Sequence, residues 1–328
     1  KSLFSSQTKN YVSQFIKLEK KNKSSIIEIH NRPSYIHIIN SKLNDRILTL
    51  YFHNDPLSMQ GSKTVDQRKQ LLKTCYKIIF NSAWSKKRFL NGLENKFVNS
   101  NKLEIFYQSA AKGNKNILKN KKKWITFVGK LNKAKGYDIF TSAIVKILNK
   151  FTDWKALVIG DEKREKISLN HKNASILGFK KHSDVINIFK KTSITVACSR
   201  WEEPFGRTSL EASANGCAVI ITNKGGLPET VTDAKIISKL SVKNLAKTLE
   251  FLIKNENIRK KLQYLSIKNF YLTGTSETII PGFGQRLSDK VQIVIDVSST
   301  SSCDIYVGTG STASESSRNI NTGILIMN

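Results

Sequence analysis

Glu203-Pro204-Phe205-Gly206-Arg207-Thr208-Ser209-Leu210-Glu211-Ala212 follows an apolar run, Ile194 to Ala197, and leads into a short helical pattern ending near Gly216. Strand, glycine-bearing loop and helix in that order form the repeating unit of α/β sheets. Gly206 allows close backbone approach, and the amides of about Arg207 to Ser209 would be the free donors of a helix start, a ready site for a diphosphate. Glu211 lies one turn inside, placed to accept hydrogen bonds from vicinal hydroxyls such as a ribose pair. A plainer reading stands beside this one: Glu203 and Glu211 as a first-turn acid and a surface acid that complement the helix dipole.

Working outward, the same alternation recurs. Trp124 to Val128, Ala156 to Ile159, Ala174 to Leu177 and Ala218 to Ile221 read as further strands. Ile139, Phe140, Ala143, Ile144, Ile147, Leu148 and Phe151 repeat at three and four, as one buried helix face demands, and so do Val242, Leu245, Leu249, Leu252 and Ile253. Before the Lys-rich stretch from Lys112 to Lys123 lies an earlier series: Ile26 to Ile29, Ile47 to Phe52, Ile78 to Phe80 and Leu103 to Phe106. Alternating strands and helices predict parallel sheets, hence two Rossmann-like α/β domains joined near residues 110 to 123. The predicted boundaries are 1–111, partial, and 112–273. Residues 274–328 are set apart: 16 of these 55 are Ser or Thr and the stretch carries −2, against +31 for the first 273 residues. Val291 to Val297 and Ile305 to Val307 are its β-like runs, and both a fused segment and a small β-rich appendage fit them. The chain opens at Lys1, already within a helical pattern (Tyr11, Val12, Phe15, Ile16), so the beginning of a longer protein is expected to be absent.

The formal charge of +29 admits three readings. Lysine outnumbers arginine 44 to 10, which fits a general enrichment spread over solvated faces. Attraction to an anionic membrane surface is the second. Specific nucleic-acid binding is the weakest, because no aromatic residues interleave with the short lysine runs. The four cysteines form no CxxC pair, which argues against a zinc knuckle or disulfide framework and fits a reducing compartment. With no apolar stretch of bilayer length and no signal-peptide core, a cytoplasmic protein is expected.

The motifs, taken together and in order, resemble retaining glycosyltransferases of family 4, which have the two-domain GT-B fold. Glu203 to Glu211 matches the family's Glu-x7-Glu signature. Around it stand Phe127-Val128-Gly129-Lys130-Leu131, Lys135-Gly136, Val158-Ile159-Gly160, Leu177-Gly178-Phe179 and Gly225-Gly226-Leu227-Pro228-Glu229. The resemblance covers about residues 20 to 272. It implies two Rossmann-like domains whose parallel sheets face a cleft, with the acceptor on the N-terminal side, here incomplete, and the nucleotide sugar held by residues 112–273. It implies donor binding by Gly129, Lys130, Lys135, Gly178, Phe179, Glu203, Phe205, Gly206, Arg207, Thr208 and Glu211. In the family the first acid and the backbone after it hold the sugar and the second acid holds the ribose.

Loss of a nucleoside diphosphate needs fixed positive charge at the departing oxygen, which Lys130 and Lys135 can supply. The family usually has Arg where Lys130 stands, a bidentate fork replaced here by a point charge. His53, in Tyr51-Phe52-His53-Asn54-Asp55-Pro56, resembles the family histidine that contacts the donor sugar near the reacting carbon. His30 ends the preceding strand candidate; a structural donor role fits either histidine too. Asp55 reads equally well as a turn cap and Ser82 as a helix N-cap.

The expected catalytic set is thus His53, Glu203, Lys130 and Lys135. The expected substrates are a nucleotide-diphosphate sugar and a glycan or lipid-linked acceptor, with no cofactor, no metal ion and no specific nucleic acid. Peripheral contact with the inner face of the cell membrane would suit the charge. The alternative is a noncatalytic nucleotide-sugar-binding remnant of such an enzyme.

Overall fold

The computed structural model describes residues 7–22, 24–110 and 112–269, together with the strands at 291–294, 304–306 and 325–327. It divides the chain into two compact units, residues 1–106 with 279–328 (unit 1) and residues 107–278 (unit 2).

In unit 1 the helix α1 (Gln7–Asn22) precedes β1 (Ile26–His30), α2 (Pro33–Asn40), β2 (Ile47–Phe52), α3 (Val65–Thr74), β3 (Lys77–Phe80), α4 (Ala83–Leu90) and β4 (Leu103–Ile105). β1 to β4 lie side by side in sequence order, all parallel. Local chemistry sets the helix starts. Pro33 fixes the first turn of α2; Thr64 and Gln67 form a capping box on α3; the Ser82 side chain accepts from the Ser85 amide at the start of α4. Val12 and Phe15 of α1, Ile36 and Ile39 of α2, Leu71 of α3 and Phe89 of α4 pack with Ile27, Ile29, Leu50, Phe52 and Phe80 in one core.

Three strands from the compositionally distinct stretch continue this sheet: β11 (Val291–Val294), β12 (Asp304–Tyr306) and β13 (Leu325–Met327), numbered in chain order. β11 runs parallel to β1 with Ile26 opposite Val291; the order across the sheet is β12-β13-β11-β1-β2-β3-β4. The remainder of the two β-like runs predicted there, residues 295–297 and 307, lies outside the described residues.

Unit 2 contains β5 (Lys122–Val128), α5 (Tyr137–Lys150), β6 (Lys155–Ile159), β7 (Ala174–Ile176), α6 (His182–Lys191), β8 (Thr192–Ala197), α7 (Arg207–Ala214), β9 (Ala218–Thr222), β10 (Ala234–Ile237), α8 (Val242–Lys254) and α9 (Glu256–Lys268). Its six parallel strands run in the order β10-β9-β8-β5-β6-β7. From β5 the chain winds first to one side through β6 and β7, then returns to β8 beside β5 and winds to the other. That is the doubly wound order, with its topological switch point between β5 and β8, where open α/β sheets hold ligands beyond their carboxyl ends. Strands β8 and β9 are buried on both faces, and α5 and α8 bury their apolar stripes against one of them. Both units therefore have the Rossmann-like α/β architecture that the alternation of strands and helices predicts. Among the described residues no helix is long and apolar enough to cross a membrane, and no group of three or more His, Cys, Asp or Glu could hold a metal ion.

Candidate functional site

Two loops leave the sheet of unit 2 at its switch point, residues 129–136 after β5 and 198–206 after β8, and hydrogen bonds lace them together. Ala134 O accepts from the amides of Arg200 and Trp201 at 2.9 and 3.0 Å and from the Ser199 hydroxyl at 3.1 Å. The Arg200 guanidinium donates to Lys133 O and, through both terminal nitrogens, to the Asp138 carboxylate at 2.5 and 2.7 Å. Those bonds hold the Asp138 carboxyl below its ordinary range against the opposing effect of partial burial. Gly136 makes the close approach possible. It has φ +73°, and a Cβ there would sit 2.0 Å from Cys198 O.

Within this lacing the Lys135 Nζ lies 2.6 Å from Glu203 Oε1. The Lys135 amide is turned by a bond to Asn132 Oδ1 at 3.0 Å. Glu203 is in turn held by its backbone, whose carbonyl accepts from Gly226 N at 2.7 Å.

Three residues after Glu203, Gly206 opens α7 with φ +117° and no side-chain cap. Its first amides therefore point outward with the positive end of the helix dipole behind them. Phe205 is buried against Leu210 and Ala214, with the Tyr107 ring 6.0 Å away. The Tyr107 hydroxyl is pushed up to about 12 by burial, reinforced by the charge and hydrogen bond of Glu229. Ser209 donates to Gly206 O and meets Thr230 Oγ1 at 2.7 Å, which ties the helix start to the segment after Gly225-Gly226. Glu211 is buried one turn further on, where its Oε1 meets Arg207 at 3.0 Å and His182 at 3.1 Å.

The structure thus brings Lys135, Glu203, Phe205, Gly206, Arg207, Thr208 and Glu211 onto one strand-loop-helix and the loop laced to it. Gly129 follows β5, and a Cβ built there meets nothing within 4 Å, so the backbone is open on that side. Lys130 is exposed beside it, and no ion-pair partner for it appears among the described contacts, so it is not drawn to Glu203 as Lys135 is. Gly178 follows β7, joined through its carbonyl to Gly160 N at 2.9 Å, and the Phe179 ring is exposed.

His53 lies in unit 1, where β2 ends. His30 Nδ1 stands 2.8 Å from His53 Nε2, and the rings of Tyr51, His30 and His53 are stacked. Asp55 caps the following turn, accepting from Leu57 N, and also binds Arg88 through two nitrogens. The turn-cap reading of Asp55 and the N-cap reading of Ser82 both describe what these residues do.

Sequence reasoning missed His182, Asn132 and Arg200. His182 is 29 positions from Glu211, and nothing local marks it. Asn132, four residues before Gly136 in a loop after a strand, carried the usual signal of a turn-forming side chain and was readable.

Residues 109–268 match the family described as Glycosyl transferases group 1. The chain is similar to spore coat protein SA of Bacillus subtilis, 26% identical over 242 residues, covering 66% of this chain and 64% of that protein. It is similar to the lipopolysaccharide core biosynthesis mannosyltransferase LpsB of Rhizobium meliloti, 31% identical over 121 residues and 34% of each chain. The chain therefore spans less than two thirds of the length of either relative. In fold it is similar to the crystal structure of Anabaena Alr3699/HepE in complex with UDP and glucose, with TM-score 0.65 and 16% identity over 84% of this chain and 80% of that one. The match to the glycosyl transferases group 1 model thus lies over residues 109–268, within a GT-B-like α/β architecture.

Proposed function

We propose that this chain is a glycosyltransferase that moves a hexosyl or N-acetylhexosaminyl group, with retention, from a nucleotide-diphosphate sugar to a glycan or lipid-linked acceptor. The observation that carries the reading is the Lys135 ammonium on Glu203, at the switch point of the sheet and beside the uncapped start of α7. A diphosphate at the α7 amides would compete for Lys135 and draw it off Glu203, freeing that carboxylate for sugar hydroxyls. As the bond from the anomeric carbon to the phosphate oxygen breaks, negative charge grows on the leaving diphosphate. Positive charge already in place there lowers the barrier without reorganisation. Lys130, exposed on the same loop, is the second cation of the scheme, which needs no divalent ion.

Glu211 would exchange His182 and Arg207 for the ribose hydroxyls, with Gly129, Gly178 and Phe179 completing the nucleotide side. A same-face route, in which the departing diphosphate takes the proton of the incoming hydroxyl, needs no enzyme nucleophile. We assign His53 contact with the donor sugar near its reacting carbon, the role the family resemblance gives it. The mannosyltransferase relative and the UDP- and glucose-bound fold neighbour support a nucleotide-sugar donor. The net charge of +29 supports a cytoplasmic enzyme resting on the anionic inner face of the membrane, where lipid-linked acceptors lie.

Thermal melting with UDP, GDP and ADP tests the donor site. One of them, at about a hundred times its Kd, is expected to add about 2.7 kcal/mol to stability and raise Tm by several degrees. That gain should vanish in Glu211→Ala. No shift with any of the three, or an undiminished shift in the variant, would sink the donor site. Binding with neither transfer nor donor hydrolysis across a nucleotide-sugar panel would leave a nucleotide-sugar-binding protein instead of an enzyme.

A further inference from the structure

The loop that carries Lys130 and Lys135 is held on two sides. Residues 198–206 reach it through Ala134, whereas the loop after β6, on the other neighbour of β5 in the sheet, reaches it through residues 129–133. Gly129 N donates to Ile159 O at 3.0 Å and Leu131 N to Asp161 O at 3.3 Å. Gly160 has φ +131°, and a Cβ there would sit 1.9 Å from Gly129 O, so this approach requires glycine. Two carboxylates of the β6 loop then cross over. Glu165 Oε2 accepts from Lys133 N at 2.9 Å, and Glu162 Oε2 accepts from Asn132 Nδ2 at 3.3 Å.

Glu162 is fixed before it meets Asn132. Arg164 donates to its carboxylate from the backbone amide at 3.1 Å, from Nε at 2.8 Å and from Nη2 at 2.9 Å. The Glu162 side chain is only 6% exposed beneath an Arg164 side chain that is 77% exposed. The Arg164 hydrogen bonds hold the Glu162 carboxyl down to about 2, so at neutral pH it is ionised and can only accept.

The buried Asn132 amide therefore has one orientation. On one side stands a carboxylate, which can only accept; on the other stands the Lys135 N–H, which can only donate and meets Asn132 Oδ1 at 3.0 Å. Turning the amide over would set oxygen against carboxylate and NH2 against N–H, and both bonds would be lost. The backbone of Asn132 is tied as well, its amide donating to Lys130 O at 2.9 Å and its carbonyl accepting from Tyr137 N at 3.1 Å. Glu162 thus selects which atom of Asn132 faces the peptide that carries Lys135. An ammonium on a flexible four-carbon stem is aimed only as well as the backbone beneath it, and charge already in place is what a departing diphosphate requires.

We propose that Glu162 and Asn132 are positioning residues for Lys135: the carboxylate orients the amide, and the amide fixes the backbone from which the Lys135 ammonium reaches the departing phosphate oxygen. The catalytic consequence rests on the role given to Lys135 above; the polarity of the chain of bonds from Glu162 to Lys135 does not.

A swap of that polarity is the test. In Glu162→Gln the new amide can donate, so Asn132 is released to turn over and its bond to Lys135 N weakens. In Asn132→Asp the new carboxylate still accepts from Lys135 N but faces Glu162 with like charge. With both changes together, the new amide donates to the new carboxylate, its oxygen keeps Arg164, and Lys135 N again has its acceptor. Hydrogen–deuterium exchange of the full protein, read by mass spectrometry, should be faster over residues 131–137 in each single variant and return to the wild-type rate in the double variant, with β9 and α8 unchanged. In the transferase assay each single variant should lose about tenfold in kcat with donor KM within about threefold, the size of one hydrogen bond felt in the transition state, and the double variant should recover. If one single variant does not fold, the other and the double variant carry the comparison. Single variants with wild-type exchange and kcat, or a double variant no better than the worse single one, overturn the proposal. Exchange that follows the swap in a protein without transferase activity would support the positioning and count against the enzyme reading alone.

Discussion

The two sheets of this protein are both Rossmann-like and, apart from the antiparallel β12–β13 pair at one edge of unit 1, parallel, yet they treat their faces differently. In unit 2, β8 and β9 are apolar or small and buried along both faces, and every ionisable group of the candidate donor site is carried by loops and helices. In unit 1 one face is as dry, with Ile27, Ile29, Leu50, Phe52 and Phe80 all fully buried, while the other carries Glu28, His30, Thr49, Tyr51, Lys77 and Glu104 on the strands themselves. Chemistry placed on loops leaves the sheet free to be a packing device. Chemistry placed on strands makes the sheet part of a polar network, and its tolerance to change follows from that network instead of from volume alone.

The comparison breaks most sharply at Gly136. Its positive φ and the 2.0 Å separation of a built Cβ from Cys198 O leave no space for alanine without pulling the two loops apart. Gly136→Ala should destabilise unit 2 by about 2–4 kcal/mol, the sum of left-handed strain and a backbone clash. Hydrogen exchange should then accelerate in β5 and α5 and stay unchanged in β1 to β3. Equal acceleration in both units would mean that the lacing of the loops is not local to unit 2.

A gain is expected where unit 1 carries polarity without use. Thr49 is fully buried on the polar face, and its hydroxyl has no hydrogen-bond partner. Thr49→Val keeps the shape, removes a desolvated hydroxyl and should stabilise by about 1 kcal/mol in a denaturant titration. A loss of that size would show that the hydroxyl has a partner in solution and that the polar row extends through Thr49.

Much of this was legible in the residues. Apolar runs located β1 to β9, and the three-four periodicity located α5 and α8, because burial on a sheet or stripe leaves a pattern in the side chains. α9 escaped because its buried side is polar: Arg259 donates to Leu252 O and Ile253 O, and Gln263 donates to Ser193 O. β10 escaped because Lys235 interrupts its four residues. The tail was separated by composition, yet β11 pairs with β1 through backbone hydrogen bonds, to which composition is blind. At the candidate site the Glu203 to Glu211 spacing was readable. The Lys135 to Glu203 pair spans 68 positions, and the His30 to His53 pair depends on the register between β1 and β2; both need coordinates.

The finest distinction lies in the ion pair that clasps the two loops. Asp138 and Arg200 are partly exposed, so their pair contributes less than about 1 kcal/mol even with its bidentate geometry. Its pH dependence has a definite sign. The folded carboxyl of Asp138 lies below its ordinary value of 3.8, with the Arg200 hydrogen bonds as the leading cause. The contribution is therefore fully present above about pH 4 and fades as pH falls through the folded value. Asp138→Asn should lower the stability of unit 2 by a few tenths of a kcal/mol at pH 7 and leave it unchanged at the acid end of the folded range. Because Arg200 keeps its bond to Lys133 O in that variant, the loops should stay laced and nucleotide binding should weaken little. A collapse of binding in Asp138→Asn would mean that the guanidinium, more than the carbonyl of Ala134, sets the position of Lys135.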